Sequence, residues 1–513
     1  MPTASGPVAG KSGTDTATCA WLGIPYAAPP VGELRWKAPQ PMPPWTGARP
    51  ALEYGSQCMQ KPMLGLKDAR NSKGMSEDCL CLNVWRPQKS GTFPVMVWIH
   101  GGALMFGSGQ GYRADRLAEF GDVVVVTINY RLNIFGFFAA PELRAEDPNR
   151  STGNYGSLDQ VAAVRWVREN IASFGGDPAN LTIFGESAGA YSVCTLLATP
   201  LARGLFQRAI LESGSCQGSS DPEPSYQAVP GVAAKLDCAG QDLKCLRAVP
   251  ALKLLNRGSG TALNSGFPFN PHHDGYFLSA TPLSIIRSGH YNAVPFLAGT
   301  NRDEVDALVF FLPELRKARP DQYPSILQSK LVLSDQETKK LLALYPLDQY
   351  RNQPKKAFGK ILTDAAMTCP TYFGLAADAA HQPGAYYYRF DYNQTRFGKH
   401  LGALHSLEIP FVFNQLDWGG FKQLYKRKNL PAAQNLSKTM MGYWTNFAKT
   451  GNPNGPGLPE WPELKLDHPE VQVLDTSVRT EPAGVVERCS FWDEYLRSHP
   501  QLTDTLLKPK EKK

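Results

Sequence analysis

Residues 185–189 read Gly-Glu-Ser-Ala-Gly. A serine framed by glycines in this way can attack a carbonyl carbon if its hydroxyl is lifted clear of the backbone. A sharp turn from a strand into a helix would lift it. Residues 181–184 read as a short buried strand and residues 190–198 as an apolar helix. Gly185 and Gly189 would then remove the side chains that collide in such a turn. The helix would also aim its N-terminus at the reacting centre, where free N–H groups favour negative charge. Acyl transfer through Ser187 further requires N–H donors for a tetrahedral oxyanion, each worth roughly 2.7 to 4 kcal/mol. Ala188 offers one, and Gly102 and Ala103 offer two more, within His100-Gly101-Gly102-Ala103 at the end of an apolar run. A histidine base and an acid to orient it complete the chemistry. The acids Asp303, Glu304 and Asp306 follow the run at 294–298, and His400 and His405 follow the run at 385–390. Residue type alone does not rank the three acids.

These residues need a scaffold, and the apolar pattern supplies one. From residue 95 onward, strand-length apolar runs alternate with helix-like segments, the pattern of an open, mostly parallel α/β sheet with helices on both faces. Residues 95–100 form one buried strand, stopped by Gly101 and Gly102. Residues 122–130, with four consecutive valines, form the next. Residues 158–174 carry Val161, Val164, Trp166, Val167 and Ile171 at helical spacing and predict an amphipathic crossover. Residues 208–212, 294–298 and 385–390 continue the sheet. No repeat and no long linker divides the chain, so residues 1–513 read as a single domain, with long insertions at 214–290 and 305–380.

Composition narrows the classes. With 42% hydrophobic and 19% charged residues, 513 residues can bury a large core, and the 46 glycines and 42 prolines are scattered rather than tracted. No apolar stretch approaches the roughly 18 residues of a membrane span, and the residues after Met1 lack a signal-peptide core. The net charge of +7 is dispersed except for Lys508, Lys510, Lys512 and Lys513, a solvated tail rather than a nucleic-acid site. Ten cysteines occur without zinc spacing, so no metal is expected. The tripeptide sequons at Asn149, Asn180, Asn393 and Asn435 arise readily by chance and decide nothing.

Further blocks run in order along nearly the whole chain: Leu22-Gly23-Ile24-Pro25-Tyr26-Ala27, Leu34-Arg35-Trp36, Ser76-Glu77-Asp78-Cys79-Leu80, 184–189, Gly299-Thr300-Asn301-Arg302-Asp303-Glu304, 405–413 and 446–454. Together they resemble the type-B carboxylesterases and lipases, the family that includes the cholinesterases. The resemblance implies an α/β-hydrolase fold and a triad of Ser187, Glu304 and His405. It selects Glu304 among the acids, and the segment His-Ser-Leu-Glu-Ile-Pro-Phe-Val-Phe favours His405 over His400. His405 would take the Ser187 proton, pass it to the leaving alcohol, and reverse the sequence with water to release the acyl group; no cofactor is implied. Glu186 and Glu408 would orient groups and water nearby, or serve as structural carboxylates. His272 and His273, where the family is often apolar, would line the pocket or lie buried with their hydrogen bonds satisfied. The family pattern also implies disulfides Cys58–Cys79, Cys238–Cys245 and Cys369–Cys489. Of the remaining cysteines, Cys19, Cys81 and Cys194 sit in apolar segments that suit buried thiols, and Cys216 is left without a role. Disulfides imply a secreted or periplasmic protein whose signal peptide has been removed.

The expected activity is hydrolysis of small-molecule carboxylic esters. A non-catalytic adhesion module is the alternative from another class, and the retained triad argues against it. A lipase would need an apolar lid, and none stands out. A choline esterase is disfavoured because residues 58–79 hold no tryptophan for cation–π binding, while Ala307 and Leu308 replace family aromatics and widen the pocket. Finally, Lys61, Lys67, Arg70 and Lys73 against Asp68 make a basic loop, which predicts a preference for esters of anionic polycarboxylic acids, fumonisin-type esters being an example.

Overall fold

The structure is a computed structural model that describes residues 1–61, 73–238, 242–259, 269–310 and 312–499; the side chains of Leu308, Phe310, Pro313 and Arg316 lie outside the description. Eleven strands form its main sheet: β1 (Lys11–Ser12), β2 (Thr18–Pro25), β3 (Cys81–Pro87), β4 (Phe93–Ile99), β5 (Val124–Ile128), β6 (Gly176–Glu186), β7 (Arg208–Glu212), β8 (Phe296–Asn301), β9 (Ala385–Phe390), β10 (Glu470–Leu474) and β11 (Arg479–Pro482). Their spatial order is β11-β10-β9-β8-β7-β6-β4-β5-β3-β2-β1. The run from β5 to β10 is parallel, and the edges are antiparallel.

Alternation along the central strands explains the layers. Val95, Val97 and Ile99 of β4 face one core, whereas Met96 and Trp98 face the other. The first core is closed by α2 (Tyr155–Asn170), α3 (Ala188–Ala198), α4 (Cys369–Ala379) and α6 (Val486–Ser498). The second is closed by α1 (Ala114–Gly121) and α5 (Leu430–Thr450). Such two-sided burial is what near-continuous Val, Ile and Leu runs require. The expected helix over 158–174 begins three residues earlier and gives way to a tighter turn at Ile171–Phe174, and the strand expected at 294–298 lies at Phe296–Asn301.

Register brings the chemistry to one edge. Ile99 pairs with Gly185, Glu186 with Glu212, Glu212 with Gly299, and Asn301 with Phe390. The segments following β4, β6, β7, β8 and β9 therefore emerge together at the carboxyl ends of the strands, where ligands bind open α/β sheets.

Cys58–Cys79, Cys238–Cys245 and Cys369–Cys489 are disulfide-bonded, with Cα separations of 5.0, 5.8 and 5.0 Å. The expectation of a thiol at Cys194 is corrected, since Cys194 is bonded to Cys216 across a Cα separation of 5.1 Å. The adjacency of β6 and β7 brings the helix after one strand beside the loop after the other, and this proximity is not written in the apolar surroundings of Cys194. Cys19 and Cys81 remain thiols, and burial above all pushes Cys81 up to about 12.

Candidate active site

Ser187 occupies the turn between β6 and α3 with φ 56° and ψ −123°, a conformation that costs a non-glycine residue about 1–3 kcal/mol. Its own N–H donates to the Glu212 carbonyl at 2.9 Å, and its carbonyl accepts from Tyr191 N at 3.0 Å. The flanking glycines are required by close approach. A Cβ on Gly189 would lie 2.0 Å from the Ile99 carbonyl oxygen, and one on Gly185 would lie 2.7 Å from backbone atoms of both Gly189 and Ile99.

The loop after β4 abuts this turn. A Cβ on Gly101 would come within 2.6 Å of the Glu186 carbonyl oxygen and 3.1 Å of Ser187 Cβ. Gly102 has φ 110°, and Ala103 and Leu104 follow with φ 55° and 58°. The N–H groups of Gly102, Ala103 and Ala188 make no loop or turn hydrogen bond among the described residues. His100 braces the loop: its ring stacks on Tyr130 at 4.4 Å, and Nδ1 lies 2.8 Å from the Gly101 carbonyl. Burial pushes the His100 pKa down to about 4, against the opposing pull of that carbonyl, so the ring is neutral.

Glu304 lies in the turn after β8, and His405 in the loop between β9 and the helical turn Ile409–Val412. His405 Nδ1 is 2.7 Å from Glu304 Oε2, and Glu304 Oε1 accepts from Asn301 N at 2.7 Å. Asp303 instead accepts from Ala403 N and Arg302 Nε at 2.8 and 2.9 Å, and Asp306 lies against Gly359. Of the three acids, Glu304 reaches the imidazole. His400 is exposed, on the short helical turn Gly398–Leu401.

His405 Nε2 is 3.2 Å from Glu186 Oε1, and the Ser187 hydroxyl makes no hydrogen bond to the ring in this structure. Burial by itself would lower the imidazole pKa. Glu186, Glu304 and Glu408 outweigh it and push the pKa up to about 10. The carboxyls crowd one another: burial raises Glu186 and takes Glu408 well above the ordinary range, and burial lifts Glu212 to about 8. Three supports escaped sequence reasoning. Ser406, at φ 65°, donates to Glu186 Oε1 at 2.5 Å; Asn301 Nδ2 donates to Glu408; and Trp444 Nε1 donates to Glu212 at 2.7 Å. Ser406 and Asn301 stand beside named candidates, but Trp444 lies 232 residues from its partner and carries no local signal.

Ser187 and Ala188 open into a cavity of about 190 Å³ that also meets Ala103, Tyr191, Ser220 and Met367. His272 is buried, its Nδ1 3.2 Å from Ser220 Oγ, while His273 Nδ1 is buried without a partner among the described residues. Those residues also include no cluster of His, Cys, Asp and Glu able to hold a metal ion.

A strained serine between a parallel strand and a helix, beside a histidine held by the buried carboxylate of Glu304 at the carboxyl edge of the sheet, defines a serine hydrolase of the α/β-hydrolase fold. The carboxylesterase family model matches residues 1–492. Cocaine esterase of Oryctolagus cuniculus is 36% identical, over 95% of this chain and 93% of that protein, and para-nitrobenzyl esterase of Bacillus subtilis is 36% identical over 92% and 94%. A solved carboxylesterase of Geobacillus stearothermophilus superposes with a TM-score of 0.82 at 35% identity, covering 96% of this chain and 99% of the other. The chain belongs to the carboxylesterase family and is a carboxylic ester hydrolase of the serine-esterase kind.

Proposed function

We propose that Ser187 is the nucleophile, His405 the general base and acid, and Glu304 the residue that orients the imidazole, in one domain that hydrolyses neutral carboxylic esters through an acyl-enzyme. The observation that carries this reading is the 2.7 Å contact between His405 and Glu304 beside a serine lifted into a cavity. Rotation of the imidazole from Glu186 toward Ser187 would complete the proton path, because catalytic hydrogen bonds often tighten only when substrate is bound. Gly102, Ala103 and Ala188 serve as oxyanion donors, and Gly101, packed against Ser187, belongs to the same cradle. Glu186 and Glu408 set the charge around the imidazole.

Neutral substrates fit the lining, which holds no lysine, arginine or histidine among the described residues. The preference for esters of anionic polycarboxylic acids, fumonisin-type esters included, has less behind it. Lys61 Nζ is committed to the carbonyls of Ser259 at 2.9 Å and Asn256 at 3.4 Å, and Lys67, Asp68 and Arg70 lie outside the described residues, as does the side chain of Leu308. Four disulfides support a secreted or periplasmic location, and no helix among the described residues is long and apolar enough to cross a membrane. Incubation with a fluorophosphonate followed by intact-mass measurement tests the reading. One adduct, mapped to Ser187 and lost in Ser187→Ala, is expected; labelling elsewhere with Ser187 unmodified would overturn it.

A further inference from the structure

The residues lining the cavity before Ser187 fall into two chemical sets. Ala365, Ala366, Met367, Pro370 and Leu496 are apolar, whereas the loop after β7 contributes Ser215, Gln217, Ser219 and Ser220. An apolar substrate group covering that second set would strand polar atoms away from water, a cost that a hydrogen-bonding group would recover. The loop is also held in place. Ser220 N donates to the Pro271 carbonyl at 3.0 Å, and the Ser220 carbonyl accepts from His273 N at 3.1 Å. The Ser220 hydroxyl lies 3.2 Å from His272 Nδ1. His272 is pinned in turn by Asn154, which accepts from its N–H at 2.8 Å and donates to its carbonyl at 2.9 Å, and Asn154 also donates to Asp274 at 3.0 Å. Burial drives the His272 pKa down to about 4, so the ring acts as a neutral hydrogen-bonding partner and not as a charge. The Gln217 side-chain amide has no hydrogen bond among the described residues and is available to a ligand.

We propose that this edge is a hydrogen-bonding subsite in which Gln217 and Ser220 determine specificity and His272 is the positioning residue behind Ser220, so that favoured esters carry an amide or hydroxyl on the group filling the cavity. The proposal rests on the esterase reading and deepens it by naming a substrate class. The wall is preorganised, so a matching group binds without first ordering the loop. A plain alkyl group of equal length leaves Gln217 unpaired and the Ser220 hydroxyl with no partner beyond His272.

Two matched pairs of esters test it, one varied on each side of the scissile bond. They are p-nitrophenyl pentanoate against the p-nitrophenyl ester of N-acetylglycine, and pentyl acetate against 2-acetamidoethyl acetate. The wild type should prefer the amide member of one pair. Ser220→Ala and Gln217→Ala should each lower kcat/KM for that member by roughly three- to tenfold, chiefly through KM, and change the alkyl member less than about twofold. His272→Val should match Ser220→Ala, and the double variant should lose no more than either alone, as expected when one residue acts through the other. Because Ser220→Ala removes a single oxygen, it keeps the test open even if His272→Val fails to fold. No preference within either pair, or equal losses on both members, would overturn the subsite while leaving the esterase reading intact. Inactivity on all four esters with no probe adduct at Ser187 would overturn both.

Discussion

Glu186→Gln should move the acid limb of the kcat/KM profile to lower pH, because it removes a carboxylate beside the proposed base. Glu186 Oε1 lies 3.2 Å from His405 Nε2, on the ring edge opposite the Glu304 contact. At that distance a pair of unit charges is worth about 5 kcal/mol at an effective dielectric of 20 and about 1.3 kcal/mol at 80. The His405 side chain keeps 30% of its exposure and that of Glu186 only 4%, which places the pair between those limits. Burial raises the pKa of Glu186 itself, while His405 and the Ser406 hydroxyl pull it down. At about 1.4 kcal/mol per pKa unit, the limb should shift by about one to two pH units. Glutamine keeps an acceptor for Ser406 Oγ, so the loop should hold its shape. The assay is kcat/KM for a p-nitrophenyl ester from about pH 5 to about pH 11, corrected for spontaneous hydrolysis, which reports groups of the free enzyme and brackets an imidazole pushed up to about 10. A limb that stays in place or moves upward would refute the electrostatic role of Glu186, whatever happens to the plateau.

Other outcomes follow from the same structure. Reducing the disulfides should lower Tm before it harms turnover; opening the 120-residue span between Cys369 and Cys489 by serine substitution should cost about 5 kcal/mol, against about 2 kcal/mol for Cys238–Cys245 with its separation of 7, and the reverse order in chemical denaturation would contradict the loop-closure reasoning. Glu212 binds its proton more tightly folded than unfolded. Its contribution is therefore intact below pH 4.5 and declines as pH rises to about 8, by about 5 kcal/mol in all. Glu212→Gln should flatten stability across that window, and an unchanged slope in urea titrations would count against a buried neutral carboxyl. Gly189→Ala, forced to within 2.0 Å of the Ile99 carbonyl, should displace the turn and abolish probe labelling at Ser187; a fully labelled variant would show that the turn tolerates a side chain.

The sequence is explicit about whatever contiguous residues can express. The Gly-Glu-Ser-Ala-Gly pattern lies within five contiguous residues, so the turn carrying Ser187 was legible, as were the strands whose alternation divides Val97 from Trp98 between two cores; that Ile99 is the backbone crowding both glycines was not. Pairing across space was not legible. Residue type left Asp303, Glu304 and Asp306 open; family likeness chose Glu304, and only the fold turned its carboxylate onto His405 while Asp303 faced Arg302. The same limit hid Cys194–Cys216 behind an apolar helix pattern. The cavity wall was hidden too, assembled from Ser220, Met367 and Leu496, which no motif connects. Hydrophobic period and turn chemistry act over a few residues, whereas hydrogen bonds, disulfides and cavity walls depend on which strand ends the sheet order β8-β7-β6-β4 brings side by side.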